Sequence, residues 1–251
     1  MRDLIDECGE DLSSFGYKCK EKGAFDLCVC SMEIRTNDEE EKTGFEKGEY
    51  FILNCKALPF GESDCLDFVS NEIKKVLGNL FKKFSLSKKS KILVVGLGNP
   101  QILADSLGTK VVDIVRLRSF DKDNNIFKFS PNIFTNTGIN AVEVVGMLTI
   151  CLDIDCVIII DSLATESIDR LCSSVQINTA GITPGSAVNN YGKKIGSSTL
   201  GIPCVSIGVP LMFFGENLKN KELLLTTKDI HQNLDDIAFV IGKAINSVLK
   251  V

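Results

Sequence analysis

Apolar positions along the chain fall into short continuous runs separated by longer periodic stretches. Ile92-Leu93-Val94-Val95, Cys156-Val157-Ile158-Ile159-Ile160 and Cys204 to Pro210 are unbroken apolar runs that read as buried strands. Phe25 to Ile34, Tyr50 to Leu58 and Ser174 to Asn178 are shorter or less apolar and predict further strands. From Asp64 onward, Leu66, Val69, Ile73, Val76, Leu77, Leu80 and Phe81 recur at three- and four-residue spacing, which predicts a helix with Lys82 and Lys83 in its last turn. Gly138 to Leu148 and Thr227 to Val251 also read as helical, and Asp105 to Leu117 as a helix or turn. Residues 1–24 are polar and read as a loosely ordered leader, Asn37 to Glu49 as a solvated turn, and Phe129 to Thr137 as a loop. Ser162 to Leu171 reads as a short helix or turn, and Thr179 to Ser198, rich in Gly, Ser and Asn, as a long functional loop.

Apolar strands alternating with helices predict an α/β fold: a single domain over residues 27–251 with a central, largely parallel sheet flanked by helices, preceded by a possible leader over residues 1–26. A chain of 251 residues with 44% hydrophobic content can bury a sizeable core. A formal charge of -5 disfavours direct binding to nucleic acid, whose phosphates call for clustered Lys and Arg. The charged N-terminus does not read as a signal peptide, and no apolar run reaches the roughly 18 residues that span a bilayer, so a cytoplasmic protein without membrane contact is expected.

The ten cysteines include no Cys-x-x-Cys pair, and Cys28 and Cys30 would share one face of a strand, a poor geometry for a disulfide between them. With His231 as the single histidine, neither a zinc site nor a cysteine or serine triad is suggested. Free, mostly buried thiols are expected, with no metal and no cofactor.

The acids are more informative. Sites in open α/β sheets form beyond the carboxyl ends of the strands. Asp161 follows the run ending at Ile160, and Asp105 lies in the segment leaving the strand that ends at Val95. Neighbouring strands would bring both carboxyls to one crevice, where they cannot both ionise cheaply and so supply an acid and a base. Such a pair can activate water and protonate a leaving amine. Each Asp could instead cap a helix, Asp105 one beginning at Ser106 and Asp161 one beginning at Ser162. Gly96-Leu97-Gly98-Asn99 lacks the third glycine of a dinucleotide loop, because Gln101 holds that place. Gly181-Ile182-Thr183-Pro184-Gly185-Ser186 is a tight-turn sequence, read either as simple loop geometry or as a backbone wall for an extended peptide.

Taken together these segments resemble the germination proteases. Val94 to Asn99 followed by Ala104-Asp105-Ser106-Leu107-Gly108 is similar to that family's VGLGN…PDALGP, and Ile158 to Ala164 to its IAIDALA. Gln176 to Ser186 resembles QISDTGIHPGS, and Leu200 to Pro210 resembles LGVPVIAIGVP. The resemblance implies an aspartic-type endopeptidase without cofactor, with Asp105 and Asp161 catalytic, and a fold similar to that of hydrogenase maturation proteases. It implies substrate contacts at Gly98, Asn99, Gly181, Thr183, Gly185 and Ser186. It further implies small acid-soluble spore proteins as substrates in the spore core, synthesis as a zymogen cut between Asp26 and Leu27, and a homotetramer. The chain departs from the family's pattern at three points. Phe25-Asp26-Leu27-Cys28-Val29-Cys30 stands for TDLAVE, Thr183 for a histidine, and Glu166 for an arginine, with Arg170 nearby. A segment usual before the last helix is also largely missing. A non-catalytic spore protein and a hydrogenase-maturation-type endopeptidase are the competing readings.

Overall fold

The computed structural model describes residues 3–7, 12–118, 124–185, 193–214 and 224–251. Its strands are β1 (Lys18–Lys22), β2 (Leu27–Ile34), β3 (Gly48–Cys55), β4 (Ile92–Gly96), β5 (Ile126–Phe129), β6 (Cys156–Thr165), β7 (Ser174–Asn178), β8 (Cys204–Phe214) and β9 (Leu224–Leu225). Its helices are α1 (Asn37–Thr43), α2 (Ser63–Lys83), α3 (Leu107–Ile114), α4 (Phe134–Thr137), α5 (Ala141–Leu152), α6 (Ser197–Leu200) and α7 (Ile230–Leu249). The strands form one sheet in the order β1-β2-β3-β7-β8-β6-β4-β5, with β9 paired to β8.

The expected parallel centre is present: β5, β4, β6 and β8 run parallel, carried by the apolar runs of the sequence. Beyond β8 the sheet continues as an antiparallel wing of β7, β3, β2 and β1. On one face, α2, α3 and α7 bury Leu77, Val111, Leu234 and Ile241 against Val94, Ile158, Ile160 and Ile207. On the other face α5 packs Val145 against Leu93, Val95, Val157 and Ile159. Farther along that face, Ile5 and Leu12 of the N-terminal segment cover Met32, Tyr50 and Ile52.

Several expectations are corrected. The leader is not loosely ordered where it is described: Leu4 and Ile5 are fully buried, and residues 18–22 add a strand to the sheet edge. Asn37 to Glu49 contains α1, because Thr36 and Glu39 form a reciprocal capping box and Gly44 closes the helix in the left-handed region. β5 and α4 occupy residues within and beside the expected loop from Phe129 to Thr137. Asp161 does not stand after its strand, and no helix begins at Ser162. β6 runs on to Thr165 because β8 pairs with it throughout, with a bulge at Leu163/Ala164. Not all thiols are free: Cys19 and Cys30, directly opposite across β1 and β2, form a disulfide. Cys28 and Cys30 do share a face, with their sulfurs 3.7 Å apart. Among the described residues no helix is long and apolar enough to cross a membrane.

Candidate active site

The site is built where β4 and β6 lie side by side. Gly96 is the last residue of β4 and pairs with Ile160, so the loop leaving β4 starts beside Asp161. Leu97 N–H donates to the Ile160 carbonyl at 2.8 Å, carrying the contact one residue past the strand. The glycines allow this approach. A Cβ on Gly108, in the first turn of α3, would lie 2.6 Å from the Ile160 carbonyl oxygen and collide with the Leu97 backbone. Gly98 has φ +100°, and a Cβ there would strike the Asp105 carbonyl.

That packing fixes Asp105, which ends a short 3-10 turn from Leu103 to Asp105. Its Oδ2 accepts from Asn99 N–H at 2.8 Å, while Asn99 Oδ1 accepts from Gln101 N–H at 3.0 Å. Asp105 therefore satisfies the glycine loop and is not a helix cap. Gly98 and Asn99 meet Asp105 directly and are not among the residues lining the adjoining cleft.

Asp161 pairs with Gly208 of β8, and its side chain is turned to the face shared with Ile159 and Leu163. Only 3% of the residue is exposed, and its Oδ1 accepts from Ser162 N–H at 2.9 Å. The hydroxyls of Ser162 and Ser206 are buried nearby on the paired strands without a hydrogen-bond partner in the protein.

The charge of Asp105 is felt at Asp161. Burial pushes Asp105 up to about 6, partly offset by the Asn99 N–H. Burial also raises Asp161 well above the usual carboxylate range, and the negative charges of Asp105 and Asp3 raise it further. A pair in which one carboxyl ionises near neutrality and the other keeps its proton can take a proton from water and give one to a leaving group.

A cleft of about 370 Å³ opens beside β6 and β8, lined in part by Gly208, Leu163, Gln176, Asn178, Gly181, Thr183 and Lys194; it reaches Asp161's strand partner Gly208 but neither aspartate itself. Gly181 has φ +103°, and its N–H donates to Asn178 Oδ1 at 2.9 Å. Two backbone bonds between Ile182 and Ile195 hold the turn in place. Gly185, with φ +74°, is not among the residues lining the cleft, and Ser186 lies outside the described residues. Gln176 and Asn178 were not singled out in the sequence, although polar residues alternating with Val175 and Ile177 in a buried strand mark the face on which they sit.

The N-terminal segment also enters this site, which no local pattern announces. Asp3 lines the cleft; its carboxylate accepts from Ala164 N–H at 2.9 Å and its carbonyl from Gln176 Nε2 at 2.9 Å. Ile5 N–H donates to Gln176 Oε1 at 2.9 Å. Glu7 accepts from the Thr165 hydroxyl, and Asp6 pairs with Arg170. Asp26 and Leu27 do not line the cleft: Asp26 is exposed in the β1–β2 turn with φ 50°, and Leu27 opens β2, buried. His231 is exposed on α7, as a solvated histidine would be.

A family model described as germination protease matches residues 5–219. A germination protease of Caldanaerobacter subterraneus is 29% identical over 228 residues, covering 86% of this chain and 69% of that protein. One from Priestia megaterium is 31% identical over 205 residues, covering 78% and 55%, and one from Bacillus subtilis is 28% identical over the same shares. The chain thus spans between about half and about two thirds of the length of these curated relatives. Among solved structures, a [NiFe] hydrogenase maturation protease HycI from Thermococcus kodakarensis is 17% identical with a TM-score of 0.41, covering 70% of this chain and 99% of that one; likeness at that level says nothing about the reaction. The family match covers the glycine loop, both aspartates and strands β4 and β6, and on it the chain belongs to the germination proteases, a family of peptidases.

Proposed function

We infer that the chain is an endopeptidase of spore germination that begins the breakdown of small acid-soluble spore proteins in the spore core, with Asp105 and Asp161 as its catalytic pair. The observation that carries this reading is the approach of two carboxyls, half-buried Asp105 in the loop leaving β4 and buried Asp161 on the neighbouring strand β6, the first raised to about 6 and the second well above the usual carboxylate range. Ionised Asp105 takes a proton from a water, whose oxygen attacks the substrate carbonyl carbon. Protonated Asp161 polarises that carbonyl. When the C–N bond breaks, the amine leaves with a proton from the pair. An extended substrate lies along the cleft beside Gly181 and Thr183, with Gly98 and Asn99 holding Asp105 in place.

The seating of Asp3 in the cleft, with Ile5 and Glu7 bonded to Gln176 and Thr165, supports a further reading, that residues 1–26 form the blocking part of a zymogen. A cut at Asp26–Leu27 in the exposed turn, followed by reduction of the Cys19–Cys30 bond, would free them. The apolar residues Met147 and Ile150, 58% and 81% exposed on α5, support assembly into a homo-oligomer, a tetramer in the reading favoured here.

The test is digestion of a purified small acid-soluble spore protein by the chain with and without residues 1–26, beside Asp161→Asn, with mass spectrometry of the products. Discrete internal cuts that vanish in Asp161→Asn are expected, and more of them without the leader. Cutting that persists in Asp161→Asn would remove the pair from the mechanism, and absence of cutting in every form would favour a non-catalytic relative.

A further inference from the structure

The β1–β2 ribbon carries a thiol cluster that peptide hydrolysis does not use. Cys19 stands directly opposite Cys30, and Cys28 lies two residues earlier on the same face of β2. The three sulfurs lie within 4.8 Å of one another. Cys19 and Cys30 are joined, while Cys28 is free and half-buried with its sulfur 3.7 Å from that of Cys30. A disulfide needs only two of these sulfurs and gives no reason for the third. Positions i and i+2 of an extended strand are poorly placed to close a disulfide with each other. They are well placed to chelate. Zinc–thiolate bonds of about 2.3 Å at tetrahedral angles put neighbouring sulfurs roughly 3.8 Å apart. Cys28 and Cys30 already stand at 3.7 Å, held by the ladders on both sides of β2.

We propose that, once the Cys19–Cys30 bond is reduced, Cys19, Cys28 and Cys30 bind one thiophilic divalent cation of the zinc type as three thiolates. Reduction by a dithiol or a phosphine delivers two electrons and two protons to the sulfurs, and the reductant leaves as its cyclic disulfide or phosphine oxide, the latter with an oxygen from water. The cation then displaces three thiol protons. Cys30, 2% exposed, forms the floor, and exposed Cys19 leaves the fourth position open to water. Cation and disulfide are alternative occupants of the same three sulfurs, and each ties the edge strand β1 to β2.

The experiment uses the full chain, reduced with a phosphine, freed of reductant without air, and titrated with Cd2+ alone. Thiolate-to-cadmium absorption in the ultraviolet rising to one equivalent is the expected result. Cys28→Ser and Cys19→Ser should each weaken binding by more than the roughly 10–100-fold that loss of even an outer partner of a metal ligand brings. Cys151→Ser, exposed on α5, should bind as the parent does. Because a serine variant can disturb the ribbon, the parent protein is also alkylated with and without Cd2+ and its peptides mapped. Protection of Cys19, Cys28 and Cys30 by the metal is expected. Unchanged alkylation of these three, binding unaffected by Cys28→Ser, or equal binding by the oxidised protein would each overturn the proposal.

Discussion

Asp105 is a case where one side chain sets a pH dependence. Its carboxyl is raised from an ordinary 3.8 to about 6 by burial, so the folded state holds its proton more tightly than the unfolded chain does. Stability that it contributes is therefore fully present below about pH 4 and is lost as pH rises through about 6. Asp105→Asn removes the cost of ionising this site and should stabilise the protein near neutrality by up to about 3 kcal/mol, with the difference vanishing below about pH 4. Urea melts of parent and variant across that range check it. The same variant should abolish cleavage, and in the parent kcat/KM should fall as pH drops below about 6, since protonated Asp105 cannot accept from water. Gly108 is the other decisive residue. A methyl at that position meets the backbone of Leu97 and Ile160, so Gly108→Ala should cost about 1–3 kcal/mol in melting experiments and displace the loop that holds Asp105. The aspartates could be picked out in the sequence because Asp161 directly follows an apolar run and Asp105 lies in the segment leaving another. That neither caps a helix became visible only with the pairing of β6 and β8 and the bond from Asn99, both of which depend on partners remote in the chain.

At the scale of elements, the N-terminal segment from Asp3 to Glu7 is held by few but buried contacts. Asp6 is raised by burial and lowered by Arg170, whose guanidinium is its ion partner. Removing one partner of a buried pair leaves an uncompensated charge, a loss of several kcal/mol that the segment can escape by lifting off. Arg170→Ala should therefore speed amide hydrogen exchange through residues 3–7 and at Ala164, whose N–H donates to Asp3, by at least about tenfold. Unchanged exchange would mean that the hydrogen bonds to Gln176 suffice. The parallel strands were legible because residues buried on both faces give unbroken apolar runs. β1 was not, since Lys18-Cys19-Lys20-Glu21-Lys22 has no apolar alternation and becomes a strand by pairing along the edge of β2. α1 was missed for a related reason. It is polar nearly throughout, and its capping box, not an apolar face, defines it.

For the whole molecule, the sheet divides the work between its two faces. Helices α2, α3 and α7 seal one, and the site opens on the other, where α5 covers only the parallel strands and the N-terminal segment covers the antiparallel wing. α5 still presents Met147 and Ile150 outward, so a Met147→Glu/Ile150→Glu protein should shift toward monomer in light scattering at matched concentration. An unchanged mass would place the subunit contact elsewhere. The α/β class could be read from the alternation of elements. The position of the N-terminal segment beside the cleft could not, because it rests on contacts spanning more than 150 residues, such as Ile5 with Gln176.

The bond between Cys19 and Cys30 encloses the β1–β2 turn in a ring of chain, closed by sulfur at a separation of 11 residues. A ring opened once is still a single piece. Any nick in that turn, between Asp26 and Leu27 included, would then change the number of chain ends without changing the mass that migrates on a non-reducing gel. Cutting and letting go become two events, and the second waits on electrons.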